Sequence, residues 1–298
     1  MSDATSQTTF QLTCPVCQHP LVPHASNLRC SNGHSFDAAR QGYWNLLLAN
    51  QKRSKDPGDN AAMVQARRTF LNLGYYAALA EQVSQQVVAL LGGHGGGKTA
   101  AEQSAGQQAA RLLDMGCGEG YYTQQMQQHL ADAGLPTQLA GLDISKHAVK
   151  AACRLTPEIT WLVASGANIP VADQSLDLIS VLFSRLLPDE LQRTLKPGGS
   201  LLVAYPGEAH LLELRELIYE EVRLSTLNPG AILGTAFQAL EEIQVSYPFC
   251  LRNQTEIQQL LAMTPHGWRI SQSTKDRLSQ LETLNLTLDV RLARFTRV

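Results

Sequence analysis

The sequence predicts an α/β fold: a mostly parallel sheet covered by helices, an antiparallel strand late in the chain, and a small cysteine-bearing module in front. Three observations carry this. From Arg111 onward, short apolar runs alternate with helical stretches. The first of those runs ends in the glycine-rich turn Gly116-Cys117-Gly118-Glu119-Gly120. Three of the six cysteines lie within the first 30 residues, while the other three are scattered. A chain of 298 residues, 44% hydrophobic and 17% charged, has material for a large core. No apolar run approaches the roughly 18–20 residues that cross a bilayer. The opening MSDATSQTTF lacks a basic n-region and an apolar h-region, so no membrane partner and a cytoplasmic location are expected.

The first expected unit is residues 1–50. Cys14-Pro15-Val16-Cys17 is followed, after twelve residues, by Cys30-Ser31-Asn32-Gly33-His34. Two close ligand pairs on tight turns suit a tetrahedral zinc held by Cys14, Cys17, Cys30 and His34. Four protein ligands leave no open position, so the zinc is expected to be structural. The intervening segment QHPLVPHASNLR has two prolines and no helical pattern, which favours a ribbon over a DNA-reading finger. His19 and His24 are alternative fourth ligands.

Residues 51–91 form a basic, helical connecting segment. Apolar residues over 59–91 return at three and four, predicting one helix capped by Asp59 or Asn60. Residues 92–110 are Gly, Ala and Gln and read as a linker. Within it, Gly92 to Thr99 matches the P-loop pattern literally, but a P-loop needs a strand before it, and SQQVVALL continues a helix.

Residues 111–298 form the main unit. ARLLDMG, LAGLDI, ITWLVA, LDLISVLF and LLVAY are strand candidates, with helical stretches such as YTQQMQQHLADA and KHAVKAACRL between most of them. In TLNLTLDVRL, residues Leu284, Leu286, Leu288, Val290 and Leu292 share one face of a period-two pattern, a strand at or near an edge. Three alternating glycines at the end of the first strand bring backbone close to a ligand beside a helix N-terminus. A dinucleotide fingerprint would need glycine where Tyr121 stands, so the spacing suits a smaller ligand. Asp143 ends the second strand, 23 residues past Gly120, placed to accept hydrogen bonds from a ribose.

Net charge is −2, which does not mark a nucleic-acid binder, but residues 29–68 hold seven Lys/Arg against three Asp/Glu. Lys52, Arg53, Lys55, Arg67 and Arg68 lie there, interleaved over residues 43–76 with Tyr43, Trp44, Phe70, Tyr75 and Tyr76. Cations among aromatics suit a surface that grips phosphates and stacks bases.

DMGCGEG, GLDIS, ASGANIPVADQSLDLISV and LKPGG, in this order, resemble class I S-adenosylmethionine-dependent methyltransferases, which have a Rossmann-like fold. With CPVC…CSNGHSFD, QGYWNLL, KRSKDPGDN, ARRTFLNLGYY, the stretch from Pro206 to Leu214, and Met263-Thr264-Pro265-His266-Gly267-Trp268, essentially the whole chain apart from residues 1–10 and 92–110 resembles the guanine-N1 methyltransferases of large-subunit ribosomal RNA, a family that includes macrolide-resistance enzymes. The resemblance implies a structural zinc, S-adenosylmethionine as donor, guanine N1 of a 23S RNA hairpin as acceptor, and a homodimer. It also implies a cofactor site of Tyr76, Asp114, Gly116, Cys117, Gly118, Glu119, Gly120, Asp143, Ile144, Ser165, Gly166 and His210. Many relatives carry an acidic residue where Ser165 stands, and often Tyr-Ala-Pro where Phe183-Ser184-Arg185 stands. The Asn/Asp-Pro-Pro-Tyr signature of exocyclic-amine methylation is absent, which favours a ring nitrogen.

Guanine N1 is protonated at neutral pH, so its proton must leave. Arg185 is a candidate to stabilise the anion through O6; Asp37, Asp59 and His266 are candidates to accept the proton. Two other readings stand beside this one: a class I methyltransferase acting on a small molecule or protein, and a non-catalytic RNA-binding assembly factor with the same fold.

Overall fold

The structure is a computed structural model and describes residues 10–52, 54–93, 109–222, 227–264 and 270–298. Its N-terminal module holds three short antiparallel strands, β1 (Val22–His24), β2 (Asn27–Arg29) and β3 (Ser35–Asp37). A further strand, β4 (Trp44–Asn45), leaves the module and joins the main sheet.

Two helices follow where the sequence pattern predicts one. α1 (Ala61–Leu71) begins at Asn60, whose side chain accepts from the amides of Ala62 and Met63, both at 3.0 Å. It ends in a turn around Gly74, whose φ of +87° interrupts the helix, and α2 (Ala77–Gly93) starts afresh. Apolar periodicity survives such a break, because both helices turn the same kind of face to one core. Phe70 is fully buried at the corner, 5.7 Å from the ring of Tyr75 and 5.8 Å from that of Tyr76. Gly92 and Gly93 complete α2. Residues 94–108 of the expected linker, and with them the rest of the P-loop pattern, fall outside the described residues, and the next strand opens at Ala110.

The main unit alternates as expected. β5 (Ala110–Met115), α3 (Tyr121–Asp132), β6 (Thr137–Asp143), α4 (Lys146–Ala152), β7 (Thr160–Val163), β8 (Leu176–Leu182), α5 (Pro188–Thr194) and β9 (Leu195–Pro206) run in order. Then come α6 (Leu212–Ile218), α7 (Pro229–Leu233), β10 (Phe237–Leu251), α8 (Gln254–Met263), α9 (Gln272–Ser279) and β11 (Leu284–Arg297). Among the described residues eight strands make one sheet, β10-β11-β9-β8-β5-β6-β7-β4. All neighbours are parallel except β9–β11 and β10–β11. The order reverses between β5 and β8, and ligands of such sheets sit outside the carboxyl ends of the strands at that point.

Leu286, Leu288, Val290 and Leu292 of β11 are buried as their alternation predicts. β11 lies one strand in from the edge, and β10 is the edge. Trp161 of β7 is almost wholly buried, and a Cβ on Gly141 would stand 2.4 Å from its ring, one on Gly120 2.7 Å. Those two glycines are therefore the space that this indole occupies.

The ribbon does not stand apart. Phe10, Leu12, Leu21 and Leu28 share a core with Leu162, Ala164, Ile169 and Val171. The amide of Thr13 donates to the carbonyl of Pro170 at 2.9 Å, and that of Leu46 to Val163 at 2.9 Å. No described helix is long and apolar enough to cross a membrane.

Candidate functional site: a zinc knuckle pair and an acidic cofactor cavity

Cys14, Cys17, Cys30 and His34 converge, with all donor atoms within 4.8 Å of one another. Sγ of Cys17 is 3.7 Å from Sγ of Cys30. Nδ1 of His34 is 3.6 Å from Cys14 Sγ and 3.4 Å from each of the other two sulfurs. A tetrahedron with zinc–sulfur bonds of about 2.3 Å has sulfur–sulfur edges of about 3.8 Å and slightly shorter sulfur–nitrogen edges. The donor set is thus already at the spacing zinc requires. Gln18 (φ +61°) and Gly33 (φ +82°) take the left-handed conformations that close the two knuckles. His19, an alternative ligand, instead turns its Nδ1 to the carbonyl of Cys17 at 3.0 Å, and His24 is exposed on β1.

A cavity of about 660 Å³ opens at the carboxyl ends of β5, β6 and β8. Its floor is the glycine-rich turn, where Gly116, Gly118 and Gly120 have φ of +84°, +56° and +86°. A Cβ on Gly116 would stand 2.5 Å from Ser184 Oγ, so any larger residue there meets the loop after β8. A Cβ on Gly118 would meet nothing nearer than Arg67 Nη1 at 3.8 Å, which leaves backbone facing open space.

Asp114 is buried at the end of β5, accepting from Thr123 Oγ1 at 2.6 Å and Ser180 Oγ at 2.8 Å. Burial pushes its pKa up to about 6, the two hydroxyls oppose this, and the Asp143 charge adds to it. Asp143 accepts from the amides of Gly118 at 3.0 Å and Ser145 at 2.7 Å, tying the second strand to the glycine turn. Burial raises Asp143 as well, partly offset by those amides. Glu119 is buried and raised mainly by desolvation, with Asp143 and Asp59 adding to the rise and Arg67 opposing it.

Arg67 of α1 points into the same cavity. Its Nη1 donates to Asp59 Oδ2, and its Nη2 to the carbonyl of Met263 at 3.3 Å. The lining therefore carries four carboxylates (Asp59, Asp114, Glu119, Asp143) against one guanidinium. Such a surplus suits a cationic ligand, and a sulfonium cofactor with an ammonium group is one.

The opposite wall is aromatic. Tyr76 is buried and its ring meets that of His210 edge-on at 6.4 Å. His210 stacks on Phe183 at 6.3 Å and 27°. The amide of Asp289 donates to His210 Nδ1 at 3.3 Å, which leaves the ring proton of neutral His210 on Nε2. Asp289, buried on β11, also accepts from the amide of Ala209 at 3.1 Å and from Gln244 Nε2 at 2.8 Å. It bolts the loop that carries His210.

Of the expected cofactor residues, Tyr76, Asp114, Gly116, Cys117, Gly118, Glu119, Asp143 and His210 line this cavity. Gly120 sits behind it as the N-cap of α3, packed on Trp161. Ile144 faces a neighbouring groove, and Ser165 and Gly166 lie in the turn after β7, where a Cβ on Gly166 would meet Met115 and Leu187. Of the expected catalytic residues, Asp59 lines the cavity. Arg185 is exposed outside the lining, Asp37 is exposed on β3, and His266 falls outside the described residues. Of the expected RNA-binding residues, Arg67 is in the cavity, Lys52 and Lys55 line the neighbouring groove, Arg68 is half-buried on α1, and Arg53 is outside the described residues. Sequence reasoning missed Phe183, Tyr121, Tyr122 and Asp289. The left-handed Phe183 (φ +54°) that turns its ring toward His210 has no signature in composition.

The family model described as RlmA, N-terminal, a zinc ribbon, matches residues 12–55, and the methyltransferase domain model matches residues 112–199. The chain is 33% identical over 267 residues to the 23S rRNA (guanine(748)-N(1))-methyltransferase of Streptomyces fradiae, covering 86% of this chain and 85% of that protein. It is 32% identical over 306 residues to a putative 23S rRNA (guanine-N(1)-)-methyltransferase of Micromonospora griseorubida, covering 95% and 96%. It is 27% identical over 285 residues to the putative enzyme YxjB of Bacillus subtilis, covering 93% and 94%. With identities above 30% over most of both chains, the chain belongs to the 23S rRNA (guanine-N1-)-methyltransferase family.

Proposed function

We propose that this chain transfers a methyl group from S-adenosylmethionine to N1 of a guanine in a hairpin of large-subunit ribosomal RNA. The observation that carries this is the joint match of ribbon and methyltransferase unit to relatives of that activity over most of both chains. A cytoplasmic homodimer goes with the same reading, and light scattering of the purified protein tests the dimer.

The bound cofactor supplies a methyl group activated by a sulfonium, so its departure needs no acid. The chain's part is to hold, orient and deprotonate. Gly116, Gly118 and Asp143 seat the cofactor, Tyr76 and His210 wall its reacting end, and the carboxylate surplus favours its positive charge. Bringing N1 to near-attack distance supplies several kcal/mol by positioning alone. Asp59, which lines the cavity, would accept the N1 proton, and Arg67, paired with it, would balance charge that develops on the base. Asp59→Asn removes the proton acceptor and keeps its size; turnover should fall roughly 10²–10⁴-fold with cofactor affinity within a few-fold. Unchanged turnover would remove Asp59 from the chemistry.

The decisive experiment is methyl transfer from labelled S-adenosylmethionine to large-subunit ribosomal RNA from a strain lacking this gene, followed by nucleoside analysis. Label in 1-methylguanosine is the expected result. Label in another nucleoside discards the reacting atom. Cofactor binding with no RNA label favours a protein or small-molecule acceptor, or an assembly factor.

A further inference from the structure

A second cavity, of about 610 Å³, lies beside the first, between Lys52, residues 55–57 and α4. Lys52 and Lys55 line one wall, Lys146 and Lys150 of α4 the other. Among the described residues none of these four ammonium groups has a carboxylate within 4 Å. Asp56, the one carboxylate of the lining, is taken by His147, whose Nε2 lies 2.9 Å from Asp56 Oδ2. In a chain of net charge −2, this is a concentrated positive groove.

The two cavities share a wall. Asp56 and Pro57 face the groove, while Gly58 and Asp59 face the cofactor cavity. The wall is fixed: a Cβ on Gly58 would stand 2.8 Å from Ser145 Cβ, and Ser145 Oγ donates to the Asp59 carbonyl at 2.6 Å. Consecutive residues of one short stretch thus border both cavities.

We propose that this groove is a phosphodiester track that seats the RNA strand flanking the target guanine, with Lys146 and Lys150 as phosphate ligands beside Lys52 and Lys55. The lining holds lysines and no arginine. Exposed point charges spread along an open groove suit a line of phosphates; a single chelated anion calls for a convergent fork. The inference rests on the RNA reading above.

The test is equilibrium binding of the ribosomal RNA hairpin to the full chain over a salt series, for wild type, Lys146→Gln/Lys150→Gln, and Lys275→Gln, a control on α9 away from both cavities. Losing two phosphate contacts should weaken binding roughly tenfold at about 0.1 M salt and flatten the log affinity against log salt slope by about 1.4–1.8. Cofactor affinity of the double variant, read by calorimetry, should stay within twofold and shows that it is folded. An unchanged slope in the double variant, or an equal change in the control, overturns the track. Wild type that binds the hairpin without methylating it sinks the catalytic reading while the slope comparison still decides the groove. Wild type that does not bind RNA overturns both.

Discussion

Asp114 gives a prediction whose size can be worked from its surroundings. Its carboxyl is 1% exposed, accepts two hydroxyl hydrogen bonds, and has a pKa raised from the usual 3.8 to about 6. The folded chain therefore binds this proton more tightly than the unfolded chain. Stability from this group is fully present below pH 3.8 and is lost as pH rises through about 6. At about 1.4 kcal/mol per unit, a shift of about two units leaves the native state about 3 kcal/mol less stable at pH 8 than with the proton bound. Asp114→Asn has the same shape and no charge, and the hydroxyls of Thr123 and Ser180 rotate to donate or accept. Urea unfolding at pH 5 and pH 8 should find the Asn variant more stable than wild type. The gap should widen by roughly 1.4 kcal/mol between the two pH values, since much of the wild-type loss is already incurred at pH 5. Cofactor affinity should move the other way, because one charge that favours a sulfonium is gone. A gap equal at both pH values, or an Asn variant less stable at pH 8, would refute this account of Asp114.

Cys30→Ser removes one of four zinc donors; metal analysis should fall from one zinc per chain toward none, with the melting temperature dropping by several degrees or more. Gly116→Ala forces a φ of +84° on a residue with a Cβ and presses that Cβ on Ser184 Oγ. A stability loss of about 1–3 kcal/mol is expected, with at least tenfold weaker cofactor binding by calorimetry. Because the strain is in the backbone, adding Ser184→Gly should restore less than half of either loss.

What was legible in the sequence was what local chemistry dictates. Cysteine pairs at knuckle spacing, glycines at the end of an apolar run and an acid at the end of the next strand each determine their own surroundings, and all came together as read. The parts that escaped are made by distant contacts. β10 is an edge strand whose Gln238, Glu241, Glu242, Gln244 and Ser246 are exposed, so it lacks the apolar run that marked the inner strands. β4 has two residues and exists because β7 is there to pair with. Arg67 looked like one more cation in a basic stretch, yet the packing of α1 against α8 turns it over the glycine turn. Arg185 is exposed and outside the lining, whereas its neighbour Leu186 is buried and lines the cavity.

The pairing of β4 with β7 also sets an order of events during synthesis. Trp44 meets Leu162, and Asn45 meets Val163, so more than a hundred residues are made before that edge can close. The knuckles need only local chain, from Cys14 to His34, and their donors are complete far earlier. Until Thr160–Val163 leaves the ribosome, the apolar underside of the ribbon, Leu12, Leu21 and Leu28, has no core to join. In order of synthesis, the residues that zinc would clamp therefore precede the surface on which the ribbon packs.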